Sequence, residues 1–340
     1  MMSKKDIALF WNTAHEYLDH HLKLIRQVSE NTITSYRDSL NCYIDYLEQV
    51  ENVHRSKVTF DNLDKDTLTR FQNWLITEKH LAARTCNLRM TAIRSFLEYA
   101  SQEHLWLVPK YTSACTIVNV KVPSNTIEYF EPSEMKALLS SPSDVNKTDR
   151  RNKMILIFLY DTAARVSEAR SVLVSDIHLD VEVPYVTLLG KGRKLRNIPL
   201  MKKTVQHLKK YLKEFHASGS NPDTPLFYSV FHGTKNKLSS DTFEKMIKQY
   251  SNQCSAKGQT MPARVHCHMI RKTRAMDLYR EGIPLTHIQQ ILGHENISTT
   301  SGFYAFATLD VIAAALEAVN PDKGNKKWED PEIQKILYKL

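Results

Sequence analysis

Across the first hundred residues the apolar side chains return at steps of three and four, and a chain with that spacing buries them as helices. Between Asn31 and Leu47 the stripe is Ile33, Tyr36, Leu40, Tyr43, Ile44 and Leu47, with Ser29 placed to cap the helix that carries it. A second stripe follows Asp64 (Leu68, Phe71, Leu75), and a third spans Ala82 to Tyr99 (Leu88, Ile93, Phe96, Leu97). Glycine content points the same way. Nine glycines in 340 residues fall well under the usual share of about 7%, which disfavours turn-rich β architecture. Residues 1–110 therefore read as a small helical bundle.

The length suffices for two domains of about 150 residues each. Residues 111–128, part of a Thr-, Ser- and Val-rich stretch running from Val108-Pro109 to Val122-Pro123, show no helical period and read as a linker. Residues 129–320 form the second domain. It opens with a helix at Glu131-Pro132-Ser133-Glu134, where proline takes the first helical position. Its longest apolar run, Met154 to Tyr160, is far shorter than the roughly 20 residues of a bilayer span, so it reads as buried core and no membrane partner is expected. Tyr185 to Leu189 and Lys194 to Pro199 flank Gly190-Lys191-Gly192-Arg193 as a β-hairpin. Helical patterning resumes to about Asn320. Residues 321–340 form a charged tail with Ile333, Ile336, Leu337 and Leu340 at helical steps. The expected fold is mainly α with a small β-sheet or hairpin: a helical bundle, then a mixed α/β domain.

Charge separates the two parts. Residues 1–110 hold 14 basic and 14 acidic side chains, so the whole excess of +9 lies after residue 110. Such a basic surface suits a polyanion, and equally suits solubility alone. The five cysteines (Cys42, Cys86, Cys115, Cys254, Cys267) are scattered without a Cys-x-x-Cys pair, which fits free thiols in a reducing cytosol. Nothing at the N-terminus resembles a secretory signal.

Several polar residues of the second domain stand at spacings that carry chemistry. Arg165 and Glu168, three apart, share a helix face and would serve either as an ion pair or as part of a site. Lys191 sits between two glycines at the hairpin tip, as a solvated turn residue or a mobile donor. His268 and Arg271 share a face near a helix start, where the dipole favours anions. Gly293 ends a helix just before His294, and Tyr304 follows. His266-Cys267-His268 lacks the partner pair of a zinc site.

Taken in order, Ala163-Ala164-Arg165-Val166-Ser167-Glu168, Gly190-Lys191-Gly192-Arg193-Lys194-Leu195-Arg196, His268-Met269-Ile270-Arg271-Lys272-Thr273, Leu292-Gly293-His294 and Tyr304 resemble the motifs of the tyrosine recombinase (phage integrase) family, in its two-domain Xer/Cre-like form. The resemblance spans nearly the whole chain. It implies a core-binding domain of SAM-like helical type before a catalytic domain, and site-specific recombination through a 3′-phosphotyrosine, without metal or other cofactor. Its implied catalytic set is Arg165, Lys191, His268, Arg271, His294 and Tyr304. Tyr304 would be the nucleophile, Arg165 and Arg271 the phosphate clamp, and Lys191 the proton donor to the leaving deoxyribose oxygen. His268 would be the acid or base toward the tyrosine and His294 a phosphate donor. Glu168 would orient an arginine or histidine.

The implied partners are duplex DNA with paired recombination sites, a homodimer on each site and a homotetramer in the synapse, where strands exchange through a Holliday junction. The few residues ahead of the first stripe suggest a simple core site, and the tail would dock on a neighbouring protomer. Three departures stand out: Ala163-Ala164 replaces the usual Gly-Leu, a mild change within what reads as a buried helix, Lys272 replaces a common histidine, and Tyr304 lies one residue beyond the usual step from His294. An extra residue turns a continuous helix by about 100°. The alternatives are a type IB topoisomerase and a non-catalytic DNA-binding regulator.

Overall fold

The computed structural model describes residues 4–123, 128–190, 194–216 and 221–293. The chain separates into two compact units, Met1–Asn125 and Thr126–Leu340.

In the first unit, α1 (Lys4–His15) runs into a π-helical segment (Glu16–Ile25), followed by α2 (Glu30–Gln49), α3 (Lys65–Thr77), α4 (Ala83–Glu103) and α5 (Val108–Cys115). Ser29 caps α2 through Thr32, and Asp64 caps α3 through Thr67. The α2 stripe faces a core in which Tyr43 packs edge-on against Phe71, 4.9 Å between centroids. The α4 stripe differs from its expected membership. Leu88 is 49% exposed, whereas Cys86, Met90, Ile93, Phe96 and Leu97 are buried. Leu88 lies five residues before Ile93 and so falls off the helical face that Met90, Ile93 and Leu97 share.

The expected linker is also shortened. Pro109 opens α5 in its first turn, and Ala114 and Ile117 are buried in the bundle core. Arg94 donates to the carbonyls of Ala114 and Ile117 at 3.1 and 2.7 Å, and Asn87 pairs with both backbone groups of Val120 at 2.8 and 2.9 Å. The stretch to Val120 belongs to the bundle because side chains, rather than a backbone ladder, satisfy its polar groups.

In the second unit, α6 (Pro132–Ser140) starts as expected, with Glu134 accepting from the Glu131 N–H at 2.8 Å. Next come α7 (Lys147–Thr162) and α8 (Val166–Ser171). The strands β1 (Ile177–His178), β2 (Tyr185–Leu189) and β3 (Leu195–Pro199) form an antiparallel sheet in that order, with Leu189 opposite Leu195 and Tyr185 opposite Pro199. Helices α9 (Lys202–Phe215), α10 (Ser240–Ala256), α11 (Cys267–Arg280) and α12 (Leu285–Leu292) complete the described part. Phe158 and Leu159 from the α7 run meet Val186, Leu188, Phe243 and Ile270 in the core.

A second hairpin, β4 (Tyr228–Phe231) and β5 (Thr234–Lys237), falls where helix was expected. Its two-residue turn, His232-Gly233, has φ of 47° and 77°, the geometry that matches strand twist. No helix among the described residues is long and apolar enough to cross a membrane.

Helices α7 and α8 are separate, which changes the reading of Ala163-Ala164 from a helix interior to a break. Ala163 is the left-handed cap of α7, φ 49°, and fully buried. A left-handed alanine costs about 1–2 kcal/mol, against roughly 0.8 kcal/mol for its buried methyl. Ala163→Gly should therefore leave the thermal midpoint unchanged or slightly raised. Calorimetry would contradict this with a fall of more than about 4 °C, the signature of losing over 1 kcal/mol.

Candidate active site

Three elements of the second unit, α8, β3 and α11, converge on one carboxylate. Arg165 stands at the N-cap of α8, its backbone N–H donating to Glu168 Oε2 at 2.7 Å and its Nη1 to Glu168 Oε1 at 2.7 Å. Arg196 reaches in from β3, donating Nη1 to Oε1 and Nη2 to Oε2, both at 2.7 Å. Arg271 on α11 brings Nη1 to 4.0 Å of Oε2. Glu168 is 2% exposed. Burial pushes its carboxyl up, but hydrogen bonds from Arg196 and Arg165 outweigh it and hold the pKa down at about 2.

The same arginines grip the end of α12. Arg196 Nε donates to Ile291 O at 3.1 Å, Arg271 Nη2 to Leu292 O, and Arg165 Nη2 to Gly293 O at 3.2 Å. Three successive carbonyls at the negative end of a helix dipole each meet a guanidinium. Arg271 Nη1 also donates to Ala163 O, the end of α7, at 2.6 Å. Gly293 takes φ 59°, and a Cβ there would come within 3.1 Å of Arg196. Both facts select glycine.

Helix α11 is anchored from several sides. Thr273 Oγ1 accepts from Phe130 N at 2.8 Å, Tyr160 donates to Asp277 at 2.7 Å, and Arg274 lies 5.3 Å over the Tyr160 ring. His268, in the first turn of α11, keeps part of its side chain at the surface. Protein packed around its ring, then the charges of Arg271, Lys272, His266 and Arg165, lower its pKa to about 4. The imidazole is thus neutral at pH 7 in the free protein.

Of the expected site residues, Arg165, Glu168, His268 and Arg271 are brought together, while Lys191, His294 and Tyr304 lie outside the described residues. Arg165 and Glu168 are joined through a helix start rather than along a helix face. Arg196 was missed as a member of the site. Its signal was a charge on the same inward face of β3 as buried Ile198. Around the His266-Cys267-His268 run, the Cys267 N–H points at Glu244, 3.3 Å from each oxygen, and the imidazole centroids of His266 and His268 lie 6.5 Å apart. Among the described residues no cluster of three or more His, Cys, Asp or Glu could hold a metal.

The phage integrase family model matches residues 128–308, and that of the phage integrase N-terminal SAM-like domain matches residues 15–104. The chain belongs to the phage integrase family. A tyrosine recombinase XerD of Halalkalibacterium halodurans is 31% identical over 292 residues, covering 85% of this chain and 91% of that protein. A tyrosine recombinase XerC of Staphylococcus epidermidis is 29% identical over 283 residues, covering 83% and 88%. In fold, the chain is similar to the XerH site-specific recombinase bound to its palindromic difH substrate, TM-score 0.65 at 18% identity, over 90% of this chain and 82% of that one. It is likewise similar to the Tn1549 transposon integrase in complex with circular intermediate DNA, TM-score 0.68 at 17% identity, over 94% and 100%. As a phage integrase family member the chain is a site-specific recombinase, an enzyme that cleaves and rejoins DNA strands. The topoisomerase and regulator alternatives are not favoured.

Glu168 stabilises the fold through its ionised form. With the folded pKa at about 2 against an ordinary 4.5, that contribution is complete above pH 4.5 and is lost as pH falls toward 2. Glu168→Gln should cost about 3 kcal/mol at pH 7, since it leaves buried cations unmatched, and the gap should narrow as pH is lowered from 4.5 to 3. Urea unfolding followed by circular dichroism at both ends checks this; a gap independent of pH would contradict it.

Proposed function

We propose that this site opens one DNA strand at a time by in-line attack of Tyr304 on the scissile phosphate, leaving a 3′-phosphotyrosine and a free 5′-hydroxyl. The observation that carries this reading is the placement of Arg165 and Arg271 on one buried carboxylate, at 2.7 and 4.0 Å, with His268 three residues ahead of Arg271 on α11. Guanidinium forks match the non-bridging oxygens of a phosphodiester and hold a fixed position while charge develops there. His268, neutral in the free protein, can accept the Tyr304 proton. Lys191 donates a proton to the departing 5′ oxygen, and His294 donates to the phosphate. The bond energy stored in the phosphotyrosine drives rejoining, so no external energy source enters.

The partner is duplex DNA carrying paired sites. XerH was solved on difH DNA, and a lambda integrase dimer on a core site. A dimer on each site and a tetramer in the synapse extend that arrangement, with residues 1–110 and 129–320 both contacting the duplex and the tail after residue 320 docking on a neighbouring protomer. The reaction belongs in the cytoplasm, at the nucleoid.

The site itself can be recovered by selecting random duplexes with the full-length protein, then rebuilt as a nicked suicide substrate. On it, Tyr304→Phe should bind normally and give no covalent adduct on a denaturing gel; an adduct that persists, or that maps to Tyr338, would reject the assignment. Lys191→Ala should slow cleavage by about a hundredfold or more, and a 5′-bridging phosphorothiolate, whose thiolate leaves without a proton, should restore the rate. Unrestored cleavage by folded protein would move the proton donor elsewhere.

A further inference from the structure

We propose that Arg196 is a positioning residue of the cleavage reaction, the group that neutralises Glu168 so that Arg165 and Arg271 keep their charge for the scissile phosphate. The inference rests on the reading of Arg165 and Arg271 as the phosphate clamp. Arg196 makes the one two-pronged contact to Glu168 among the described side chains, with 2.7 Å to each oxygen. Its side chain is 12% exposed, against 32% for Arg165. Arg196 is therefore turned inward and spent on protein, and Arg165 retains open surface, while Arg271, with its side chain 3% exposed and both Nη atoms on backbone carbonyls, would act on a phosphate through its charge.

Charge arithmetic gives the reason. Three guanidiniums and one carboxylate meet here, and a bidentate pair between Arg196 and Glu168 leaves a surplus of two positive charges on the other two arginines. Without Arg196, both Glu168 oxygens would face only Arg165 and Arg271. Low-dielectric surroundings strengthen that attraction, drawing the clamp onto Glu168 and away from a ligand. Arg196 also holds the last turn of α12. Its Nε holds Ile291 O at 3.1 Å, and its guanidinium lies where a Gly293 side chain would be, one residue before His294. One guanidinium thus uses its whole fork and its Nε. A lysine ammonium, compact and without a fork, cannot make those contacts together.

The test uses the full-length protein and the suicide duplex, made with either an ordinary phosphate or a neutral methylphosphonate at the scissile position. Covalent adduct formation is measured in single turnover, with Arg165→Ala as the reference. Arg196→Gln should slow adduct formation on phosphate by about 10- to 100-fold, the range for a misplaced catalytic group. It should leave duplex affinity nearly unchanged. On the methylphosphonate, which has no charge to stabilise, the defect should shrink to about threefold or less. Arg196→Lys, which keeps a positive charge beside Glu168 but not the fork, should recover part of the rate lost in Arg196→Gln and still fall short of wild type on phosphate, and it carries the test alone if the glutamine variant does not fold. Equal losses on both substrates, wild-type rates, or a lysine variant no faster than a folded glutamine variant would overturn the proposal. If Arg165→Ala shows no preference between substrates, the clamp reading fails and takes this proposal with it. If Arg165→Ala discriminates and the Arg196 variants do not, only the role of Arg196 is wrong.

Discussion

A single buried carboxylate makes the rest of this site possible. Three guanidiniums brought to one place repel each other, and around Arg271, at 2% exposure, water does little to screen that repulsion. Glu168 is the counter-charge that lets them converge, and its pKa of about 2 keeps it ionised at neutral pH. Such a group contributes little net stability compared with an apolar core of the same volume. Its value is specificity of arrangement, since each Glu168 oxygen accepts from two donors and so fixes β3 and the start of α8 against each other.

Helix ends complete the counter-charge. The carbonyls of Ala163, Ile291, Leu292 and Gly293 each accept from an arginine of the cluster. These carbonyls terminate α7 and α12, where backbone acceptors lack helical partners. On the clamp reading, the cations that would meet a substrate phosphate are thereby held in place before it binds. This is preorganisation in the electrostatic sense, with the cost of ordering the donors met during folding rather than during reaction.

The helical bundle, the β2–β3 hairpin and the cluster of Arg165, Glu168, His268 and Arg271 were legible in the sequence, because each depends on local spacing or on a motif read in order. What the sequence obscured depends on contacts between distant residues. Nothing local distinguishes Leu88 from the buried members of its helix except its phase, and α5 with the stretch to Val120 is tied down by Asn87 and Arg94 from another helix. Ala163 looked like helix interior because alanine rarely adopts a left-handed cap; burial against Ala275 and Met276 holds it there. The β4–β5 hairpin pairs the mostly exposed Tyr228–Phe231 with the polar Thr234–Lys237, so it carries no buried alternation, and only His232-Gly233 signals its turn. Arg196 sits in a motif, yet its partner is 28 residues away in sequence.

The low pKa of His268, set first by the protein packed around its ring and then by the same surplus of charge, would tie binding to chemistry on the proposed roles. In the free protein the neighbouring cations disfavour imidazolium, so the ring begins as an acceptor. A phosphodiester entering between Arg165 and Arg271 brings negative charge beside those cations and cancels part of the field that depressed the ring. The pKa must then rise, because the charged form is no longer opposed to the same degree. Imidazole therefore becomes a stronger base when substrate is bound and a weaker one in its absence. On the proposed roles, a tyrosine proton would be accepted most readily where a phosphate is present to be attacked, and a cluster that clamped the substrate would also confine activation of the nucleophile to the occupied site.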